Sequence, residues 1–293
     1  MIVILGATGK VGGTAARELR QRGREVRAVV RKPLRGAQLA ELGCEIAVAD
    51  VHDRSAVRRV LEGAESVLAI CPLRATADDV LADAQDSIDS VGAAIDATRP
   101  EHVVAISDYA AEQPSGTGVT LALHRLEQRL RKTASPTTFI RSSEQMQNWM
   151  RQANVARSRG VLPSLHHPVS RPFPTVSGFD VGRKAAELLE GKPPAGAPRI
   201  VHLEGPRRYS AEDIARVFAA LFGREVSAQA VPRERWADAL GAAGLGPSYA
   251  QLVMELQDAH NAGRVDVEAG VGEVARGTTT LEEALREAVA ATG

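Results

Sequence analysis

Four glycines, Gly6, Gly9, Gly12 and Gly13, fall within eight positions directly after the apolar run at 2–5. A strand that ends in so little side chain and reopens as a helix leaves the helix's first N–H groups and its positive dipole end uncovered, and a phosphate can settle there. In that arrangement Gly6 makes the turn, Gly9 lets a pyrophosphate approach the backbone and Gly12 lets the helix close on the strand, with Thr8, Lys10 and Val11 beside the ligand. The spacing therefore predicts a dinucleotide cradle. An acidic residue at the end of the second strand would take ribose hydroxyls, whereas a basic one accommodates a further phosphate. Arg31 and Lys32 follow "AVV", with Arg35 close by. They point to NADP(H) in preference to NAD(H), against the plainer reading of a solvated basic loop. Asp50 and Val51 end the third strand, where they would sit beside the adenine, although Asp50 could equally cap the helix that begins near Ser55.

Proton chemistry is harder to find. In Tyr-x-x-x-Lys sites the lysine lowers the tyrosine pKa so that the phenol exchanges a proton with substrate oxygen. The three tyrosines here are followed four positions later by Gln113, Asp213 and Val253. Alcohol oxidation by that route is not expected. The polar residues left after the fifth strand are Ser107, Tyr109 and His124. His124 shares a helix side with Thr120 and Glu127, so it is either a proton donor, since imidazole titrates near neutrality, or a structural histidine tying down the loop "QPSGTG". Tyr109 reads as a pocket wall, and Arg141 and Phe173 as residues of the substrate cleft. Adjacent His166 and His167 point in different directions without a carboxylate cluster, which favours a loop over the pocket and no metal. Met146, Trp149 and Met150 read as packing between two parts of the chain.

Elements must hold these residues. "MIVIL", "EVRAVV", "CEIAVA", "SVLAI", "HVVAIS", "TTFIR" and "RIVHL" read as seven strands, mostly apolar on both faces as a buried parallel sheet requires. Helical stripes alternate with them, Val11, Ala15 and Leu19 in one, and Val119, Leu123, Leu126 and Leu130 in another. The expectation is an α/β protein with a Rossmann-type doubly wound parallel sheet, its ligand beyond the strands' carboxyl ends. Residues 1–150 form the nucleotide-binding domain, to which a helix and strand at 175–203 return. Residues 151–293 form a smaller, mainly helical substrate-covering domain.

Composition narrows the classes. Lys plus Arg and Asp plus Glu total 36 each, so no overall field draws the chain to nucleic acid or anionic lipid. Cys44 and Cys71 lack any metal or redox spacing and read as buried hydrophobes. No apolar run approaches a membrane span, and a cytoplasmic protein, monomer or homodimer, is expected.

"GATGKVGG", "AVVRKP", "VADVHD", "VVAISDYAA", "GTGVTLALHRLEQRLRKT", "FIRSSEQMQNW", "GFDVGRKAAELL" and "EGPRRYSAEDIARVFAALFGREV" together resemble the NmrA-like branch of the atypical short-chain dehydrogenases/reductases. The resemblance runs in order over nearly the whole chain. It implies Ser107 near the nicotinamide and Asn148 in the substrate site. It also implies one of two activities, because the branch contains NADPH-dependent quinone and triarylmethane reductases as well as non-catalytic NADP sensors. With no Tyr-Lys pair, a reductase of this kind would give hydride to an electrophile needing little proton assistance, such as a quinone, an enone, an iminium or a cationic dye.

Overall fold

The computed structural model describes residues 1–290. Its strands, in chain order, are β1 (Ile2–Ile4), β2 (Val26–Val30), β3 (Glu45–Val48), β4 (Ser66–Ala69), β5 (His102–Asp108), β6 (Thr137–Ser142), β7 (Glu144–Gln145), β8 (Val161–Ser164), β9 (Thr175–Val176), β10 (Arg199–Glu204), β11 (Ser227–Ala230) and β12 (Glu273–Arg276). The helices are α1 (Lys10–Gln21), α2 (Ala37–Glu41), α3 (Arg54–Leu61), α4 (Val80–Thr98), α5 (Thr120–Leu130), α6 (Ala153–Arg159), α7 (Gly178–Glu190), α8 (Ala211–Phe222), α9 (Trp236–Ala242), α10 (Pro247–Asn261) and α11 (Leu281–Ala290).

Eight strands form one parallel sheet in the order β12-β10-β6-β5-β4-β1-β2-β3. The order reverses direction at β1 and β4, and in an open α/β sheet the ligand crevice lies beyond the carboxyl ends at that reversal. All seven strands expected from the sequence are present, joined by an eighth, β12, that the helical reading of the C-terminal part does not contain. Its four residues are mostly exposed and only two of them are apolar, so no apolar run marks it. It is defined by pairing with β10, from Val201 opposite Glu273 to Glu204 opposite Arg276.

Each sheet face is covered for a readable reason. On one, the Val11, Ala15 and Leu19 stripe of α1 packs with Val181, Ala185 and Leu188 of α7 against Ile4, Ala28 and Val104. On the other, α3, α4 and α5 bury Val57, Ile88, Val91 and Leu126 against Val3, Val67 and Phe139. A third apolar cluster joins Met146 and Trp149 to Phe173, Phe218 and Leu285, and supports the covering part. Asp53, not Asp50, caps α3, its Oδ1 accepting from the backbone N–H groups of Ser55 and Ala56.

The approach of α7 to α1 depends on Gly182, where a Cβ would stand 2.6 Å from both Thr14 Cβ and the Val11 carbonyl oxygen. Alanine is the better helix former by up to about 1 kcal/mol, so the sign of its effect separates propensity from packing. Gly182→Ala is expected to destabilise the protein by about 1–3 kcal/mol through overpacking, measured by urea denaturation.

Candidate active site at the carboxyl end of the sheet

The turn after β1 is built as its spacing predicts. Gly6 has φ +71°, a left-handed conformation that glycine adopts without strain. A Cβ on Gly12 would lie 2.5 Å from the Gly6 carbonyl oxygen, so helix and turn touch backbone to backbone. Gly9 is different. Its φ of −81° and ψ of 167° suit any residue, and a Cβ there would meet nothing nearer than the Gly6 carbonyl oxygen at 3.5 Å. Neither conformation nor packing calls for glycine, so the space it keeps clear lies outside the protein, above the first turn of α1. No side chain caps that helix, and its first turn carries no acidic residue. The N-terminus of α7 comes alongside, with Gly178 near Lys10. That second terminus is closed from within, because Gln147 Oε1 accepts from Gly178 N at 3.0 Å while its Nε2 donates to the Ser177 hydroxyl at 3.0 Å. The open N–H groups are those of α1, and Thr8, Gly9 and Lys10 are exposed around them.

Arg31, Lys32 and Arg35 are exposed past the end of β2 and form no ion pair among the described residues. Asp50 accepts from the backbone N–H of His52 and pairs with its ring, contacts that hold its carboxyl below the usual range, with a smaller contribution from Arg31. Val51 is buried beneath it.

The α5 side that carries Thr120, His124 and Glu127 faces the end of β5, and each residue takes a different partner. Thr120 Oγ1 donates to Asp108 Oδ2 at 2.7 Å, His124 Nδ1 lies 2.8 Å from the Ala111 carbonyl oxygen, and Ser107 Oγ donates to Glu127 Oε1 at 2.6 Å. The His124 contact falls on the turn just before the loop 113–118, not on that loop itself. Glu127 also accepts from Arg141 Nε and Nη2, both at 2.9 Å, and Arg141 Nη1 reaches Glu112 at 3.2 Å and Glu268. Burial pushes the Glu127 carboxyl up, but the guanidinium outweighs it and the net direction is down. Burial likewise opposes the charge on Arg141, and its carboxylate partners raise it above its ordinary value.

This geometry differs from three expectations. Arg141 is 1% exposed with its donors committed to carboxylates, so it is a tie rod beneath the cleft and not a wall of it. The Ser107 hydroxyl points its proton at Glu127 in the interior. Tyr109 is fully buried, edge-on to His202 at 5.5 Å, in a cluster with Ala110, Ala259 and Val265, and burial raises its phenol. A phenol there is part of the core. Phe173 stacks on His166 with ring centroids 3.7 Å apart, and Asn148 is exposed on the turn 146–152. The Cys71 thiol is pushed up to about 12 by burial and Cys44 is raised the same way, so both are protonated. Among the described residues no group of three or more His, Cys, Asp or Glu side chains is arranged to hold a metal ion.

What the sequence reading missed is two carboxyl groups, Asp108 at the end of β5 and Glu144 at the start of β7, two residues past β6. Burial pushes Asp108 up to about 7, with the nearby charge of Glu144 adding to it. Glu144 is driven the other way, because His166 Nε2 at 3.0 Å outweighs its burial. His260 on α10 stands edge-on to His166 at 5.2 Å, and burial lowers it to about 4. Across the cleft α10 is stitched down by Gly246 N to the Ala75 carbonyl, Val80 N to Ser248 Oγ and Val119 N to the Leu252 carbonyl. The signal for Asp108 was a carboxylate closing an otherwise apolar strand in "AISDY". The signal for Glu144 was weaker, since a glutamate after "RSS" looks like any turn residue.

A model of the NmrA-like family matches residues 1–285. This chain belongs to the NmrA-like family. Among its relatives it is 30% identical over 225 residues, 76% of this chain and 74% of the relative, to a (4-alkanoyl-5-oxo-2,5-dihydrofuran-3-yl)methyl phosphate reductase of Streptomyces griseus subsp. griseus. It is 24% identical over 261 residues, 87% and 86% of the two chains, to an NAD(P)H azoreductase of Xenophilus azovorans. The NmrA-like fold of this chain is similar to that of the NADPH-dependent quinone oxidoreductase of Escherichia coli in complex with NADPH, with a TM-score of 0.77, 21% identity and 100% of both chains covered. It is also similar to the triphenylmethane reductase of a Citrobacter species, with a TM-score of 0.80, 19% identity and 99% of both chains covered.

Two outcomes follow from the buried charges. Arg141→Met removes the buried partner of Glu127 and leaves its carboxylate to the partly exposed Arg131, whose Nη2 lies 3.1 Å away, and is expected to cost about 3 kcal/mol, the low end for a broken buried pair, read by chemical denaturation. Asp108 has a folded-state pKa raised above its unfolded value, so wild type loses stability as pH rises from about 4 to about 7. Asp108→Asn escapes that loss, and its stability relative to wild type should climb by about 1–3 kcal/mol across the window and stay flat above it, followed by thermal denaturation as a function of pH.

Proposed function

We propose that the chain is an NAD(P)H-dependent reductase that binds NADP(H) and acts on an electrophilic small molecule, a quinone, an enone, an iminium or a similar acceptor. The observation that carries this reading is Gly9, a glycine that neither the backbone nor the packing requires, standing over an uncapped helix N-terminus. The residues fit the group. Gly6, Thr8, Gly9, Lys10, Val11 and Gly12 would hold the pyrophosphate, Arg31 and Lys32 the additional phosphate, and Asp50 and Val51 the adenine end. Bound there, the nicotinamide would supply a hydride. Ser107, Glu127 and Arg141 keep the ends of β5 and β6 fixed under the reacting groups, while α10 and Phe173 limit water above them. The two relatives described above are both reductases, which supports the same reading. Among the described residues no helix is long and apolar enough to cross a membrane.

The inward-facing Ser107 and Tyr109 favour one other reading, a non-catalytic NADP(H) sensor. A sensor must bind the oxidised and reduced forms with different affinity, since a ligand shifts an equilibrium only through differential binding.

NADPH oxidation over a panel of quinones, enones, iminium compounds and cationic dyes decides between them. Turnover is expected, and its absence with unequal NADP and NADPH affinities would leave the sensor. Gly9→Ala should keep wild-type stability yet lose NADPH affinity by about tenfold or more, because its Cβ projects only into the ligand's space. Arg31→Glu should weaken NADPH by a similar factor and spare NADH; calorimetric titration reads both.

A further inference from the structure

Asp108 closes β5, one position past Ser107 and two strands from the turn, since β1 pairs with β4 and β4 with β5. At the usual strand spacing that is about 10 Å, within reach of the far end of an extended dinucleotide lying on the turn. Thr120 Oγ1 donates to Oδ2, so a proton on this carboxyl belongs on Oδ1, the oxygen no side chain engages. The groups facing Asp108 come from every element around it. They are the Thr120 hydroxyl from α5, the Tyr109 backbone N–H, Glu144 from β7, and Tyr249 from α10 with Arg151 behind it. Beyond Glu144 lie His166, which holds its carboxylate, and His260, which burial keeps neutral. Burial is the main reason the Asp108 carboxyl holds its proton and the negative charge of Glu144 adds to it, so the two supply one acid and one fixed anion. Glu144, gripped by His166, is the anion. Asp108 is partly exposed and remains the acid, with its pKa near neutrality.

We propose that Asp108 is the proton donor of this site, passing the Oδ1 proton to the carbonyl oxygen of a neutral conjugated carbonyl acceptor as hydride reaches the acceptor's β-carbon. This rests on the reductase reading. In the step a C–H bond forms at the acceptor with the electron pair from the dihydronicotinamide, which leaves as NADP+. The Oδ1–H bond breaks and an O–H bond forms on the acceptor. The resulting enol returns to the ketone in water, and the Asp108 carboxylate recovers its proton from solvent. A cationic iminium acceptor needs only the hydride, because the new C–H bond cancels its charge.

The test compares wild type and Asp108→Asn with NADPH on a neutral enone and on an iminium salt. The variant is expected to lose about 10²-fold in kcat on the enone and much less on the iminium, so the ratio of the two rates shifts by nearly the full factor. Wild-type kcat on the enone should fall above pH about 7, and the variant should lack that limb. A reading that needs neither cofactor nor turnover comes from carbon-13 NMR of the apoprotein, in which the Asp108 carboxyl should titrate near 7. Titration near 4, an unchanged enone rate in the variant, or a wild type that reduces cations alone would overturn the assignment of Asp108 and leave the reductase standing. No NADPH oxidation with any acceptor would overturn both.

Discussion

Glu127 and Arg141 meet under the carboxyl end of the sheet, each nearly inaccessible, and joined by two hydrogen bonds of 2.9 Å. A charge removed from water in this way is tolerable only while its partner is in place. The pair therefore fixes whatever is attached to it. Glu127 belongs to α5 and Arg141 to β6, Ser107 of β5 donates into the same carboxylate, and the guanidinium reaches Glu112 in the loop after β5 and Glu268 near the chain's end. Five segments converge on one ion pair. Its geometry sets where β5 stops, and so where Asp108 emerges into the cleft.

The two ends of the site are built on opposite principles. At the nucleotide end the protein supplies absence, with glycines that remove Cβ atoms and a helix terminus left without a cap, so that a charged ligand replaces what the fold withholds. Where β5 and β7 meet α10 it supplies a crowd of titratable groups whose mutual fields and burial sort them into charged and neutral members. Gly6 and Gly12 are required by the fold itself, while neither backbone nor packing requires Gly9.

That contrast explains what was legible in the sequence. The strands, the turn and the basic pair after β2 were readable because local spacing determines them. The roles of Ser107, Tyr109 and Arg141 were not, because burial depends on which distant segments fold over them. Tyr109 is sealed by Ala259 and Val265, about 150 positions away along the chain, and Arg141 is neutralised by Glu268. His124 was narrowed to two roles by its helix position, and the carbonyl that it contacts, Ala111, lies just before the loop 113–118 named for one of them. Asp108 and Glu144 were overlooked for the same reason. Each is ordinary in its local context, and their shared surroundings arise only when β5, β7 and α10 come together.

The strand β12 carries a consequence for the molecule as a whole. The chain leaves the sheet after β6, builds part of the cover, returns for β10, leaves again to form α8, α9 and α10, and returns once more at Glu273–Arg276. Neither the sheet nor its cover is a continuous length of polypeptide, so no single cut separates them into autonomous pieces. Sheet and cover should consequently melt as one cooperative unit, and a truncation before residue 273 would strip an edge strand from the nucleotide-binding sheet itself.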